Sequence, residues 1–200
     1  MIRMGAMLAV AVLSACAVAP RVGEPQRYDF GMVAAGTSGW RLPLAAIDVQ
    51  AASWLATAAM HFRLAYAEPL RRQVYGESRW AAPPAELLEN LLRRHRALAS
   101  SESAGAGCRL QLMLDELEQR FDSPQGSKVR IELQAVLLPA QGSDMLARRA
   151  FRLERPASSA DARGGAGAAR EAALAVADEI AAWTNDLARD RPALVARCRN

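Results

Sequence analysis

Three consecutive segments in the second half of the chain constrain the fold most. Every second residue is apolar across residues 129–137, which is the clearest period of two in the sequence. Residues 110–114 show the same alternation and residues 147–153 show a weaker form of it. Short turn-forming stretches separate the three segments, as in hairpins. The pattern predicts three antiparallel strands with one buried face, and its slip at Asp115-Glu116 predicts a β-bulge.

Two helices are predicted beside these strands. The first covers residues 85–100, where leucines fall on one face behind Pro83 and Pro84. The second covers residues 168–189, where alanines and larger apolar residues keep helical spacing. Shorter extended pieces are predicted at residues 27–31, 42–50, 57–66 and 70–75. Together these elements predict an α+β domain over residues 27–200, with a single, mostly antiparallel sheet and two helices packed on one face.

The N-terminus is typical of an exported protein. Arg3 precedes an apolar run of about 10 residues, about 15 Å as a helix, which is too short for a hydrocarbon core of roughly 30 Å. The run ends in Leu13-Ser14-Ala15-Cys16, which resembles a bacterial lipobox. The resemblance implies that residues 1–15 are a signal peptide and that Cys16 carries acyl chains such as palmitate. Residues 16–26 would then form a lipidated N-terminus and tether.

Two alternatives stay open for Cys16. The chain could be secreted with ordinary cleavage at Ala15 or Ala19, or the cysteine could be a buried structural residue. Lipidation with more than one acyl chain would give a lasting anchor, since each buried methylene contributes about 0.8 kcal/mol. Ala17 is not aspartate, the residue that signals inner-membrane retention in bacterial lipoproteins. We therefore expect attachment to the outer membrane, on its periplasmic face.

Cys108 and Cys198 are the other two cysteines of the chain. In an oxidising compartment such a pair favours a disulfide. Three successive antiparallel strands place the starts of the first and third at one edge of the sheet, and a final helix running back along the third strand returns to that edge. The predicted topology thus brings Cys108 and Cys198 together, and two free thiols are the alternative.

Patterns for catalysis, metal binding or cofactor binding are weak. His61 and His95 are the two histidines, and neither is spaced for shared metal ligation, so no metal is expected. Gly165-Ala166-Gly167 does not directly follow a strand, as a dinucleotide-binding unit requires, and is interpreted as a flexible loop before a helix. Residues 93–96 form the densest basic patch, interpreted as a solvated helix face, with lipid headgroups or an acidic partner as the alternative. Nucleic acid is not an expected partner.

One segment carries a family resemblance. Tyr75 is followed by Ser78-Arg79-Trp80, and Pro83-Pro84 then open a helix that bears leucines. The segment resembles the ABC-type transport auxiliary lipoprotein family, which includes PqiC-like proteins. The resemblance extends more loosely to the lipobox and to the late alanine-rich helix that contains Trp183.

The resemblance implies a non-catalytic subunit. Members of this family resemble outer-membrane-anchored, periplasmic partners of an MCE-domain protein and of an ABC permease and ATPase, which move phospholipids or other hydrophobic molecules. The chain has no P-loop pattern, so ATP hydrolysis would belong to the partner. A structural or assembly lipoprotein with another envelope client is the alternative function, and the lack of a catalytic constellation disfavours a hydrolase. The strand pattern tolerates a homo-oligomer without requiring one.

The residues of the motif are compatible with two roles. Trp80 suits either the core or an interface, because its indole N–H needs a hydrogen-bond partner. Arg79 could pair with a carboxylate such as Glu86 and fix the corner between strand and helix. We favour structural roles for both over direct contact with a partner protein.

Overall fold

The computed structural model describes residues 23–32, 39–99 and 107–199. Cys16, the predicted signal peptide and most of the tether lie outside these residues. The described ranges contain seven strands and three α-helices: β1 Gln26–Tyr28, β2 Leu44–Ala51, β3 Ala59–Leu64, β4 Gln73–Trp80, α1 Pro84–Ala99, β5 Cys108–Phe121, β6 Ser127–Leu138, β7 Ala147–Pro156, α2 Ala162–Asp190 and α3 Pro192–Arg199. None of the described helices combines the length and apolar composition that crossing a bilayer requires.

The strands form one mixed sheet in the order β1-β4-β3-β5-β6-β7, with β2 also paired to β5. The predicted meander is present, since β6 pairs antiparallel with both β5 and β7, and the register shifts between Leu114 and Glu116 as the sequence predicts. β2 and β3 both pair with β5 in parallel, and β1 pairs with β4 in parallel. The α+β class is confirmed, and the sheet is not entirely antiparallel.

The parallel pairing has a simple cause in the length of β5. β2 pairs with residues 108–114 of β5, and β3 pairs with residues 119–121 of the same strand. The two short strands therefore follow one another along one edge of β5 without a reversal of the chain. The connection between them contains a single 3-10 turn at Ser53–Leu55.

The core lies between the sheet and the two long helices. β5 and β6 contribute Leu110, Leu114 and Ile131, each at most 1% exposed, and α1 contributes Leu88 and Leu92, also at most 1% exposed. The face of α2 toward the sheet is rich in buried alanines, which let the helix axis come close to the strands. The prediction of two helices on one face is confirmed, because a single apolar cluster joins both helices to the same side of the sheet.

Helix α2 begins earlier than the sequence predicts. Gly165-Ala166-Gly167, interpreted as a loop, lies inside the helix, which starts at Ala162. Asp161 caps the first turn by accepting a hydrogen bond from the Gly164 N–H at 2.8 Å. A Cβ at Gly164 would overlap the backbone of Ser159, so glycine is required there by the close approach of the preceding loop. The close contact therefore explains the glycine at position 164, although glycine has a low intrinsic propensity for helices.

The predicted solvated face at residues 93–96 is partly wrong. His95 is only 1% exposed, although Arg94 is exposed as expected. Arg93 and Glu89 form an ion pair of 2.7 Å along α1 and turn toward the edge of β2. Glu89 Oε2 accepts the Val49 N–H at 2.9 Å, and an Arg93 N–H donates to the Ile47 carbonyl at 3.3 Å. The helix thus satisfies backbone groups of an edge strand with its own charged pair.

The C-terminus carries a short helix that the sequence did not predict. α3 starts at Pro192, a residue suited to the first helical position, and packs against the beginning of β5. Both Cys108 and Cys198 are fully buried, and a disulfide joins them across 90 residues of sequence. The pairing that the strand topology predicts is present.

Candidate functional site

The ends of the strands define the position of the candidate site. β3 and β5 finish together, since Leu64 lies beside Phe121, and β6 begins opposite Phe121 at Ser127. β4 begins at this same end and runs away from it, and β1 runs parallel to β4. The chain therefore approaches β1 from this end of the sheet. We call it the tether end, because the direction of β1 places the chain that enters this strand on this side of the sheet.

A cleft of about 640 Å³ opens at the tether end, between the β1–β4 edge and the start of α2. Its lining is mostly polar and comes from Gln26 and Tyr28 of β1, residues 75–78 of β4, Ser159, and residues 161–163. Two positions of the predicted family motif, Tyr75 and Ser78, thus lie in one cleft with the beginning of α2. Arg163 gives this cleft a cation, and Glu77 and Asp161 give it carboxylates.

Tyr75 links the motif strand to the centre of the fold. Its hydroxyl donates to Gln119 Oε1 at 2.9 Å, and its ring lies 4.6 Å from that of Phe62. The Gln119 amide donates in turn to Ser127 Oγ at 2.8 Å and to the Asp161 carbonyl at 3.1 Å. Burial raises the pKa of Tyr75 well above its usual value, so the phenol remains a hydrogen-bond donor at neutral pH.

Asp161 organises the start of α2 on the opposite wall. Its carboxylate accepts from the Gly164 N–H at 2.8 Å and from the Ser159 hydroxyl at 2.7 Å. These hydrogen bonds favour the ionised form and lower the pKa of Asp161. An N–H group in the first turn of the helix therefore already donates to a carboxylate of the same chain.

The Ser78-Arg79-Trp80 motif alternates between the two faces of the sheet. Ser78 and Trp80 are 8% and 5% exposed, whereas Arg79 is exposed. The Trp80 ring meets the Phe30 ring edge-on at 5.6 Å, and the N–H of Ala81 donates to the Tyr28 carbonyl at 2.7 Å. The motif strand thus holds the N-terminal segment against the core, and Trp80 occupies the core position that a structural role requires.

The pair expected between Arg79 and Glu86 is not formed, and within the described chain Arg79 has no ion-pair partner. The alternation of β4 explains this, because Arg79 points away from the face that carries Ser78 and Trp80. Glu86 lies exposed in the first turn of α1, on the side of the sheet covered by the helices. Pro84 is the first residue of that helix and is buried, and Pro83 precedes it, half-buried.

Arg170 of α2 also holds the N-terminal segment in place, a role that no sequence pattern predicts. Its guanidinium donates to the Phe30 carbonyl at 3.0 Å and to the Met32 carbonyl at 3.1 Å. Between these carbonyls, Gly31 has a φ of +62°, a conformation that favours glycine. The segment after β1 is therefore fixed by α2 as well as by the motif strand.

The other face of the sheet carries a network of ion pairs that the sequence analysis also missed. Glu118 is only 4% exposed and accepts from Arg63 Nε with both carboxylate oxygens, at 3.1 and 3.2 Å. Arg72 makes two hydrogen bonds to Glu116, at 2.7 and 2.6 Å, which raise the pKa of Arg72. Burial is the main cause that lowers the pKa of the nearby His61. Among the described residues, no cluster of His, Cys, Asp and Glu is arranged to hold a metal ion.

Comparison with known proteins identifies similar sequences and folds. A family model described as the ABC-type transport auxiliary lipoprotein component matches residues 47–181, which include the motif strand. The crystal structure of protein XCC0632 from Xanthomonas campestris, of family DUF330, is 22% identical, with a TM-score of 0.71 over 82% of this chain and 97% of that one. A second crystal structure, of an uncharacterized protein, is 16% identical, with a TM-score of 0.59 over 79% of this chain and 97% of that one. These two likenesses show a shared fold. No curated protein matches the chain.

Proposed function

The chain belongs to the ABC-type transport auxiliary lipoprotein family, and from that premise we propose that it is a non-catalytic subunit of an MCE-type transport system of the envelope. In this role it works with an MCE-domain protein and with an ABC permease and ATPase that supply the energy. The cargo is a phospholipid or another hydrophobic molecule. The observation that carries the proposal is the family match over residues 47–181, with the Tyr75-to-Pro84 motif inside it.

The second part of the proposal is the anchor. Cys16 carries the acyl chains, residues 1–15 are removed, and residues 16–26 connect the outer membrane to a periplasmic domain at residues 27–200. Gln26 lies ten residue steps after Cys16, a reach of at most roughly 33–36 Å when fully extended. The Cys108–Cys198 disulfide supports an exported location, because disulfides persist in oxidising compartments such as the periplasm.

The cleft at the tether end is our candidate for contact with the phospholipid. Arg163 offers a guanidinium for a phosphate, and the Ser78 hydroxyl can donate a further hydrogen bond to a headgroup. The tether joins the fold beside this cleft, so an anchored body would hold the cleft within reach of the membrane. Charge reversal by Arg163→Glu should therefore reduce the amount of phospholipid that copurifies with the protein, with Arg94→Glu on α1 as the matched surface control.

Affinity purification from crosslinked membranes tests the proposed role. The full-length protein should capture the MCE-domain protein encoded beside it, and a Cys16→Ser variant should be released from the membrane fraction. Capture of cell-wall or outer-membrane assembly proteins without any MCE-domain protein would favour the alternative, a structural or assembly lipoprotein. Turnover of an envelope lipid by the purified protein would contradict a non-catalytic role.

A further inference from the structure

The connection between β3 and β4, residues 65–72, presents apolar side chains at the tether end. Leu70 is 93% exposed and Tyr66 is 47% exposed, and Pro69 beside Leu70 is exposed as well. A single exposed leucine is ordinary on a protein surface. Two further features indicate a function for Leu70. One is the hydrogen bonding of its turn, and the other is its position relative to the N-terminal segment.

The turn that carries Leu70 is fixed by hydrogen bonds. An N–H of Arg63 donates to the Pro69 carbonyl at 2.9 Å, and the Glu68 N–H donates to the Leu64 carbonyl at 2.7 Å. The N–H of Arg71 donates to the Glu68 carbonyl at 3.1 Å. The backbone on both sides of Leu70 is therefore ordered, and it presents the Leu70 side chain to solvent.

The direction of β1 relates the N-terminal segment to this turn, although β1 itself pairs with the last three residues of β4. Gln26 of β1 lies beside Ser78, and β4 extends from Ser78 back to Gln73, immediately after the turn. Because β1 and β4 are parallel, the chain that precedes Gln26 comes from the direction of Leu70. A lipid attached to Cys16, at most roughly 33–36 Å from Gln26, would pull this end of the sheet toward the bilayer.

We propose that the β3–β4 turn, through Leu70 and Tyr66, is a second contact with the bilayer that holds the anchor. The inference rests on the proposed lipidation of Cys16. Leucine can enter the acyl region, while tyrosine and arginine side chains suit the headgroup level, and Arg71 is the arginine next to Leu70. A single tether leaves the body free to tumble. A second contact fixes its orientation, with the cleft toward the membrane and the α3 end away from it.

The test uses the full mature protein, purified from membranes and placed in vesicles of phosphatidylethanolamine and phosphatidylglycerol. Leu70→Trp places a fluorophore at the turn, and Met145→Trp is the matched control, since Met145 is 53% exposed in the β6–β7 connection at the other end of the sheet. Spin-labelled lipids should quench the added fluorescence of Leu70→Trp at least about twofold more than that of Met145→Trp. Equal quenching of the two variants would overturn the proposal.

Two further readouts separate the causes of a failure. Intact mass and flotation with the vesicles report whether Cys16 is lipidated and the protein anchored. Anchored protein without selective quenching overturns the contact at the turn and leaves the proposed function standing, whereas protein that lacks acyl chains and does not float overturns both. Hydrogen exchange measured without vesicles tests whether a second copy of the chain covers the turn instead. Protection of residues 65–72 that rises with protein concentration would show this, and it would also overturn the lipid contact.

Discussion

The indole N–H of Trp40 donates a hydrogen bond to Nδ1 of His95 at 3.1 Å, in a region where both side chains are buried. Because Nδ1 accepts, the other ring nitrogen of neutral His95 carries the proton and donates it to Asp178 Oδ1, 3.1 Å away. The three residues join the segment before β2 to α1 and α2. This polar chain fixes the relative position of the two long helices.

Replacing His95 by phenylalanine should destabilise the protein by about 1–3 kcal/mol, because the buried Trp40 N–H would lose its acceptor. Urea denaturation measures the free energy of unfolding. Adding Trp40→Phe to the first substitution removes the donor as well, so the two effects should be less than additive. A change below about 0.5 kcal/mol for His95→Phe would show that this hydrogen bond does not stabilise the fold.

Substitution of both Cys108 and Cys198 by alanine should lower stability by about 4–5 kcal/mol in the chain-entropy model, since the bond closes a loop of about 90 residues. The same loss should follow treatment of the wild-type protein with a reductant under denaturing conditions. Mass analysis after thiol alkylation provides the control. Two alkylated thiols in the native, unreduced protein would contradict the pairing.

Two glycines of α2 offer a matched pair. Gly164→Ala should destabilise the protein by about 1–3 kcal/mol, because the new methyl group would overlap the Ser159 backbone. At Gly167 nothing lies within 4 Å of an added Cβ, so Gly167→Ala should stabilise it by about 0.5–1 kcal/mol through helix propensity. Thermal melting of both variants decides the question, and shifts of the same sign would show that the contact with Ser159 is not what requires glycine.

The motif strand allows fold and partner contact to be separated. Trp80→Ala should cost about 3–5 kcal/mol, because a large side chain leaves the core beside Phe30. Arg79→Ala removes an exposed side chain and should change stability by no more than about 0.5 kcal/mol. Melting curves and capture of the proposed MCE-domain partner are measured together. A normal melting curve with lost capture in Trp80→Ala would contradict its structural role.

The cap of α2 should depend on pH. The folded-state pKa of Asp161 is lowered, so its contribution to stability is complete above the unfolded pKa of about 3.9 and is lost as the pH falls through the lower folded value. Asp161→Asn keeps a side-chain cap without the charge. The difference in stability between wild type and Asp161→Asn should be constant above about pH 5 and should shrink below about pH 4. A difference that does not change with pH would contradict the assignment.

The parts of the fold that the sequence predicts correctly depend on periodicity. The alternation through residues 129–137 marks a buried face, and the break after Leu114 marks the bulge. The same signal does not identify a strand's neighbours, so the parallel pairing of β2 and β3 with β5 was not predictable. Gly165 and Gly167 resemble loop residues, although the Asp161 cap and the packing of the helix outweigh their low propensity.

The candidate site was predictable only in part, for a related reason. The motif from Tyr75 to Pro84 is contiguous in sequence and carries a resemblance. Its partners are not contiguous, because Gln119 is 44 residues from Tyr75 and Arg170 is 140 residues from Phe30. Such contacts arise from the sheet order and from the packing of α2, neither of which leaves a local pattern. His95 is a further example. Its neighbours in the sequence are arginines, so it was predicted to lie on a solvated helix face, although it is buried.

The most direct test of the account is the intact mass of the native protein extracted from the membrane fraction. We predict a chain that begins at Cys16, carries acyl chains on that residue, and has no free thiol at Cys108 or Cys198. A chain with an unmodified Cys16, recovered without any attached lipid, would contradict the anchor on which the proposed transport role and the membrane orientation both depend.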